Sequence, residues 1–244
     1  MSPFIVLYKK EFKEQVFSPS TFVIAGLFVL IIGWLFFNYL SQVKNLNEMS
    51  FFVEIFRPLI GNMNFIFLFL SPLIGAFSIA GEKKQNTMEL LLMSPLSLGE
   101  IILAKYLGLI TVGFFLLSMT FIIPITMGVM GVEDWGPVLT GYLGVFFSIS
   151  CYMAVALFCS VLLDDFVASA LLSFCVLLGI MLLVLTAAGT SNQLLGELLS
   201  YLAPAIHFEG FARGVIKTYS LFFFFSFVSL FNYAAFLVLK LRRV

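Results

Sequence analysis

Few side chains in this sequence could do chemistry, and their spacing limits what they could do. His207 is the sole histidine, with Glu209 two residues further on and Arg213 four beyond that. A histidine beside a carboxylate could ligate a metal or relay a proton, but one imidazole makes a poor site. Glu209 and Arg213, four apart, would share a helical face and pair. The spacing therefore favours a capped, salt-bridged helix over a reactive centre. Asp164 and Asp165 are adjacent and would diverge, with Asp165 well placed to cap the helix that follows it. Cys151, Cys159 and Cys175 lie within apolar runs, without the close pairing of zinc or redox cysteines, and read as small hydrophobes. No Gly-x-x-x-x-Gly-Lys-Ser/Thr phosphate loop occurs. An integral-membrane enzyme would need a cluster of polar groups at a membrane face, and the sequence offers none.

A recognition role is better represented. Residues 82–100 are charged, helix-forming and half apolar. Asn86 and Glu89 have capping-box spacing, and Met88, Leu91 and Leu92 follow on one helical stripe. Ser94-Pro95 ends that helix, and Ser97 with Glu100 makes a second capping box opening the next. Such a leucine- and methionine-rich helix could fill a groove on a partner. It could equally rest against lipid headgroups and merely join two spans. The residues alone leave both readings open.

The elements that position these residues are membrane helices. Hydrophobic residues make up 61% of the chain, charged residues 11%, and the mean hydropathy is +1.11. A soluble domain carries roughly 25% charged residues, so this chain lacks the polar surface to face water. Apolar runs of ~20 residues span a bilayer. Without period-two alternation they are helices, which satisfy their own backbone in hydrocarbon.

The resulting order is a single transmembrane domain over 1–244. Residues 3–17 form an amphipathic helix suited to the membrane interface, with Phe4, Ile5, Tyr8, Phe12 and Val16 on one face and Lys9, Lys10 and Lys13 on another. Spans follow at about 20–41, 59–81, 101–131, 137–163, 166–189 and 220–239. Pro72 should kink the second, and Pro124 should break or tilt the third. The segment up to Pro58, with Lys44, Glu48, Glu54 and Arg57, reads as an external loop. Residues 190–219 are too long for a turn and too interrupted to span, and read as a short helix or re-entrant pair at the outer surface. Charges precede a late apolar run at the N-terminus, as in a retained segment rather than a cleaved signal.

Six spans put both termini on one side. Lys9, Lys10, Lys13, Lys83, Lys84, Lys105, Lys240, Arg242 and Arg243 fall there, against Lys44, Arg57, Arg213 and Lys217 opposite. The positive-inside rule then gives an N-in, C-in topology. Ionisable groups within the spans, which would mark an ion path, are almost absent. The walls are apolar and aromatic, so any substrate they touched would be lipid-like or a hydrophobic polypeptide.

The string from Ala80 to Ser97, Ala-Gly-Glu-Lys-Lys-Gln-Asn-Thr-Met-Glu-Leu-Leu-Leu-Met-Ser-Pro-Leu-Ser, resembles the corresponding segment of ABC-2-type transporter permeases. Its acidic-basic start, Thr-x-Glu-Leu-Leu core and Ser-Pro break follow that pattern, and the six-span layout matches along the chain. Residues 202–216, with Pro204, His207-Phe208-Glu209 and Arg213-Gly214-Val215, are similar to a motif of the gliding-motility-type permeases within that family.

The resemblance implies an all-α, ABC-2 (type V) exporter-like fold and a subunit without its own motor. ATP and Mg would be bound by a separate ABC ATP-binding subunit in two copies. Glu82, Lys83, Thr87, Glu89, Leu90, Leu91 and Leu92 would form the coupling helix that contacts that ATPase. Pro204, His207, Phe208, Glu209 and Arg213 would shape an external gate. A second permease chain, identical or different, would complete a dimer in a bacterial inner membrane, with no nucleic-acid partner. The function implied is ATP-driven export or extrusion. The alternative is mechanotransmission to an extracytoplasmic partner, such as a permease with a large external domain, without solute transport.

Overall fold

The computed structural model describes residues 3–43, 51–85, 87, 88, 91, 93–129, 134–190 and 192–242. Among these residues the regular structure is entirely helical. Helix α1 covers Pro3–Val16 and α2 Pro19–Gln42. A π-helical turn, Phe51–Phe56, runs into α3, Arg57–Lys84. Then come α4 (Leu98–Met119), α5 (Ile122–Val129), α6 (Gly136–Leu162), α7 (Phe166–Gly189), α8 (Gln193–Tyr201), α9 (Pro204–Ala212) and α10 (Thr218–Arg242). Six stretches are long and apolar enough to cross a membrane: Pro19–Gln42, Phe51–Lys84, Leu98–Val129, Gly136–Leu162, Phe166–Ala187 and Thr218–Arg242.

The core is built on α6, the most buried of the six, with α3 as its main partner. Small residues let the two backbones approach, as membrane helices require when lipid offers no hydrophobic gain from association. A Cβ added at Gly75 would lie 2.3 Å from the Ala156 Cβ, so only glycine fits there. Ser160 then enters the α3 ladder. Its hydroxyl donates to the Ala76 carbonyl at 3.1 Å and accepts from the Ile79 and Ala80 N–H groups at 3.0 and 2.8 Å. Helices α2, α7 and α10 leave most of their apolar surface outward, which suits contact with lipid or another chain.

Two sequence expectations change, and the break expected at Pro124 is found. Residues 51–58 are helical rather than an external loop. Phe51, Ile55 and Phe56 turn inward, and Pro58 sits in the first turn of α3, where its missing N–H costs nothing. Helix α3 stays continuous through Pro72. The third span breaks at Thr120–Phe121, four residues before Pro124, where the proline ring crowds the i−4 carbonyl. The Thr120 carbonyl, deprived of an α-helical donor, accepts instead from Ile123 N–H and from the Tyr142 hydroxyl, each at 3.0 Å.

The second change concerns α1. Its inward face carries Leu7, Glu11 and Val16 with Phe4, Tyr8, Phe12 and Gln15 beside them, while Ile5 is exposed. Hydrophobicity alone set the face too far round, because it gave no weight to Glu11.

Candidate functional site

The charged side chains that hold the fold gather at the end of the bundle where α1, the turn after α3, the α6–α7 hairpin and the end of α10 meet. Helix α1 lies along α4. Gly108 permits the approach, since a Cβ there would stand 3.1 Å from the Glu11 Cβ, and the Tyr8 hydroxyl meets Thr111 Oγ1 at 3.1 Å. At the centre is Lys105, buried to 1% exposure. Its ammonium donates to Glu11 Oε1 and to the Ser78 carbonyl, both at 2.9 Å, and stands 3.0 Å from Glu82 Oε2. Gln15 Nε2 donates to the second Glu11 oxygen at 2.6 Å. One lysine thus joins α1, α3 and α4.

Lys83, the residue after Glu82, serves the opposite side. Lys83 Nζ donates to the Val161 and Leu163 carbonyls at 2.6 and 3.2 Å and to Asp164 at 3.0 Å. Arg242 reaches Asp164 at 2.6 Å and also donates to the Leu162 carbonyl. Two cations therefore cap the C-terminus of α6, where unpaired carbonyls and the helix dipole favour them. The paired ammonium and guanidinium hold the Asp164 carboxyl below its ordinary value. Asp165 caps α7, accepting from the Val167 and Ala168 N–H groups at 3.0 and 3.1 Å.

Glu82 and Lys83 are thus engaged within the chain, on the last turn of α3. The connection proper starts after Gln85. Thr87 folds back onto the Glu82 carbonyl through its N–H at 3.0 Å and its hydroxyl at 3.2 Å. Met88 is buried in the main core, and Leu91 packs with Leu7, Ile101 and Ala104 in a small cluster under α1. Leu91 also receives the Ser94 hydroxyl on its carbonyl at 2.6 Å. The apolar stripe therefore faces the protein's own body at Met88 and Leu91, while Met93 is 82% exposed. Glu89, Leu90, Leu92 and Asn86 lie outside the described residues. The Ser97–Glu100 capping box is formed, with Glu100 N–H donating to Ser97 Oγ at 3.3 Å and Ser97 N–H to Glu100 Oε2 at 2.8 Å.

At the other end, residues 193–212 form the helix pair α8 and α9. Pro204, His207 and Phe208 are buried, and Glu209 and Arg213 are exposed. Glu209 pairs with Arg213 within the helix and faces Arg57 at 3.5 Å, tying α9 to the start of α3. His207 Nε2 donates to the Tyr201 carbonyl at 2.9 Å, so Nδ1 of the neutral ring is free to accept from the Ser220 hydroxyl at 3.1 Å. The ring stacks on Phe223 at 4.0 Å. Burial pushes its pKa down. With both nitrogens engaged, the histidine is a packing and hydrogen-bonding centre that locks α8, α9 and α10 together. The Arg213-Gly214-Val215 sequence closes α9: Val215 N–H reaches the Gly210 carbonyl at 2.9 Å and Gly214 N–H the Phe211 carbonyl at 3.0 Å. Gly214 has φ +84°, the left-handed conformation that such a cap demands and glycine supplies.

Sequence reasoning counted Lys105 only among the cations of one side; the structure keeps it at that end and makes it the buried hub. A signal was available: Glu11 lies in the gap between the lysines of α1 and shares a helical face with Leu7, Tyr8 and Gln15, so the inward face carries a charge in need of a partner.

Six helices of spanning length define a multi-pass membrane protein. Residues 5–241 match the family described as ABC-2 family transporter protein, and the chain belongs to that family. It is therefore a membrane permease of an ABC transporter, the transmembrane and non-catalytic subunit, and such permeases normally partner an ABC ATPase subunit. No curated protein matches the chain.

Proposed function

We propose that this permease couples ATP hydrolysis in a separate ATPase to export, with the end built around Lys105 facing the cytoplasm. The observation that carries the reading is the charge asymmetry of the two ends. Lys9, Lys10, Lys13, Lys83, Lys84, Lys240 and Arg242 belong to the elements gathered at one end, and Arg57, Arg213 and Lys217 to those at the other. The positive-inside rule assigns the richer end to the cytoplasm.

On this reading α1 lies in the inner interface of a bacterial cytoplasmic membrane, and the 85–97 connection is the coupling element. Two ATPase subunits, carrying the ATP and Mg, dock on a dimer of permease chains. A push on the connection reaches α1 and α4 through Glu82 and Lys105, and the α6–α7 hairpin and α10 through Lys83 and Asp164. The α8–α9 pair shapes the external gate.

The test is co-purification of the chain with its ATPase, followed by ATP-dependent transport in vesicles. Stable association and ATPase stimulation by the permease are expected. A permease that neither binds nor stimulates an ABC ATPase contradicts the reading.

A further inference from the structure

At the end opposite Lys105, two cavities meet beside α9. The inner one, of about 190 Å³, lies between α3, α6 and α7, and the outer one, of about 330 Å³, leads on to Arg57 and Glu209. Gly61 and Ala205 line both, so the two form one crevice. A Cβ added at Gly61 would meet nothing within 4 Å. That glycine therefore serves no close helix contact and instead leaves room. Phe65 on α3 and Met181 on α7 line the inner part and are exposed on the flanks of two spanning helices, which opens the crevice sideways to lipid.

The crevice has one polar group at depth. Asn64 is 8% exposed, and its Oδ1 accepts from the Tyr152 hydroxyl at 3.2 Å. That bond sets the amide plane and leaves Nδ2 over. Among the described residues Nδ2 has no hydrogen-bond partner, and it is not one of the seven fully enclosed side-chain atoms that lack one, so it keeps open surface on the cavity that Asn64 lines. An amide N–H held between apolar walls calls for an acceptor.

The mouth carries a different demand. Arg57 faces Glu209 Oε1 at 3.5 Å, but Arg213 already holds that same oxygen more closely. Two guanidiniums thus share one carboxylate, which leaves a positive charge and most of the Arg57 donors unused. Among the described residues no other carboxylate pairs with Arg57. Arg57 and Asn64 are seven residues apart on α3, about 10 Å along its axis. An extended glycerol unit, from a phosphate to the ester carbonyl of its acyl chain, suits that reach.

We infer that this crevice holds an anionic glycerophospholipid of the surrounding bilayer. Its phosphate lies on Arg57, its glycerol passes Gly61, an ester carbonyl accepts from Asn64 Nδ2, and the acyl chain runs on along Leu68 and Leu177. A free fatty acid would bring no acceptor at that depth, and an uncharged glyceride nothing for the mouth. The site lies within one chain, and nothing in it depends on the ATPase or on the direction of transport.

The full-length chain, purified in detergent and stripped of lipid, would be titrated with 1-lauroyl lysophosphatidylglycerol, and bound lipid counted by native mass spectrometry. One lipid per chain is expected. The ether analogue, which lacks the carbonyl, and monolauroylglycerol, which lacks the phosphate, should each be retained about tenfold more weakly. Glycerophosphate, a head without a chain, should not compete. Gly61→Leu should abolish retention without lowering the thermal midpoint, since the side chain enters open space and leucine favours a helix. Arg57→Gln should erase the preference for the phosphate, and Asn64→Ala the preference for ester over ether. Equal retention of the three amphiphiles, or parental retention by Gly61→Leu, overturns the assignment. Competition by glycerophosphate as strong as by the lipid would mean a site for free anions and would overturn it too.

Discussion

Lys105 on α4 and Glu11 on α1 meet at 2.9 Å, with both side chains nearly out of contact with solvent. Glu82, at the end of α3, completes the group. An N-terminal helix that hydropathy describes as a surface element is thereby fixed by charge to the same point as the connection after α3. In a chain with few charges, three of them meet there.

Breaking that group from the lysine side should be the most damaging single change in the region. Lys105→Met leaves two carboxylates at a buried site with no cation, a loss of about 3–5 kcal/mol for a buried pair stripped of one partner. A marked fall in the thermal midpoint in detergent is expected. Adding Glu11→Leu and Glu82→Gln should restore much of it, since the orphaned charges are then gone. A Lys105→Met protein as stable as the parent would show that the cluster contributes nothing.

The α3–α6 contact gives a steric prediction. Gly75→Ala places a methyl group 2.3 Å from the Ala156 Cβ, and overpacking of this kind costs about 1–3 kcal/mol. Ala156→Gly should recover part of the loss in the double variant. Additive losses in a thermal unfolding cycle would contradict the direct clash.

His207 predicts the pH response of the external helix pair. Burial lowers its pKa in the fold, so the folded state holds the proton less readily than the unfolded chain. Its contribution is therefore fully present above the unfolded value of about 6.5 and is lost as pH falls through that value towards the lower folded one. The thermal midpoint should drop on acidification in this window, and His207→Gln should flatten that part of the profile. An unchanged profile in the variant would assign the response to other groups.

Much of this was legible in the sequence, and what was missed has physical causes. Spans, the Asp165 cap and the Ser97–Glu100 capping box are local, and local pattern carries them. The positive-φ Gly214 follows from the same logic, since a helix ending in Arg-Gly-Val has its natural cap residue in place. The helical 51–58 segment was obscured because Glu54 and Arg57 look like loop charges, although at a helix start Glu54 stays exposed and Arg57 is half-buried facing Glu209. Lys105 and Asp164 were not legible in their roles. Their partners are 94 and 78 residues away, and no periodicity connects such positions.

The connection after α3 offers a prediction that separates folding from docking. Leu91 packs under α1 whereas Met93 faces outward. Leu91→Asp should therefore lower both the thermal midpoint and ATPase association. Met93→Asp should reduce association alone. A Met93→Asp permease that co-purifies with its ATPase as well as the parent would remove Met93 from the docking surface.

The central claim is that the end holding α1, the 85–97 connection and the Asp164 hairpin meets the ATPase. It is tested most directly by placing a photo-crosslinking amino acid at Met93 or at Lys217 and irradiating membranes that contain both subunits. The account predicts an adduct with the ATPase from position 93 and none from position 217. An adduct from position 217, or none from 93 in a complex that still assembles, would contradict it.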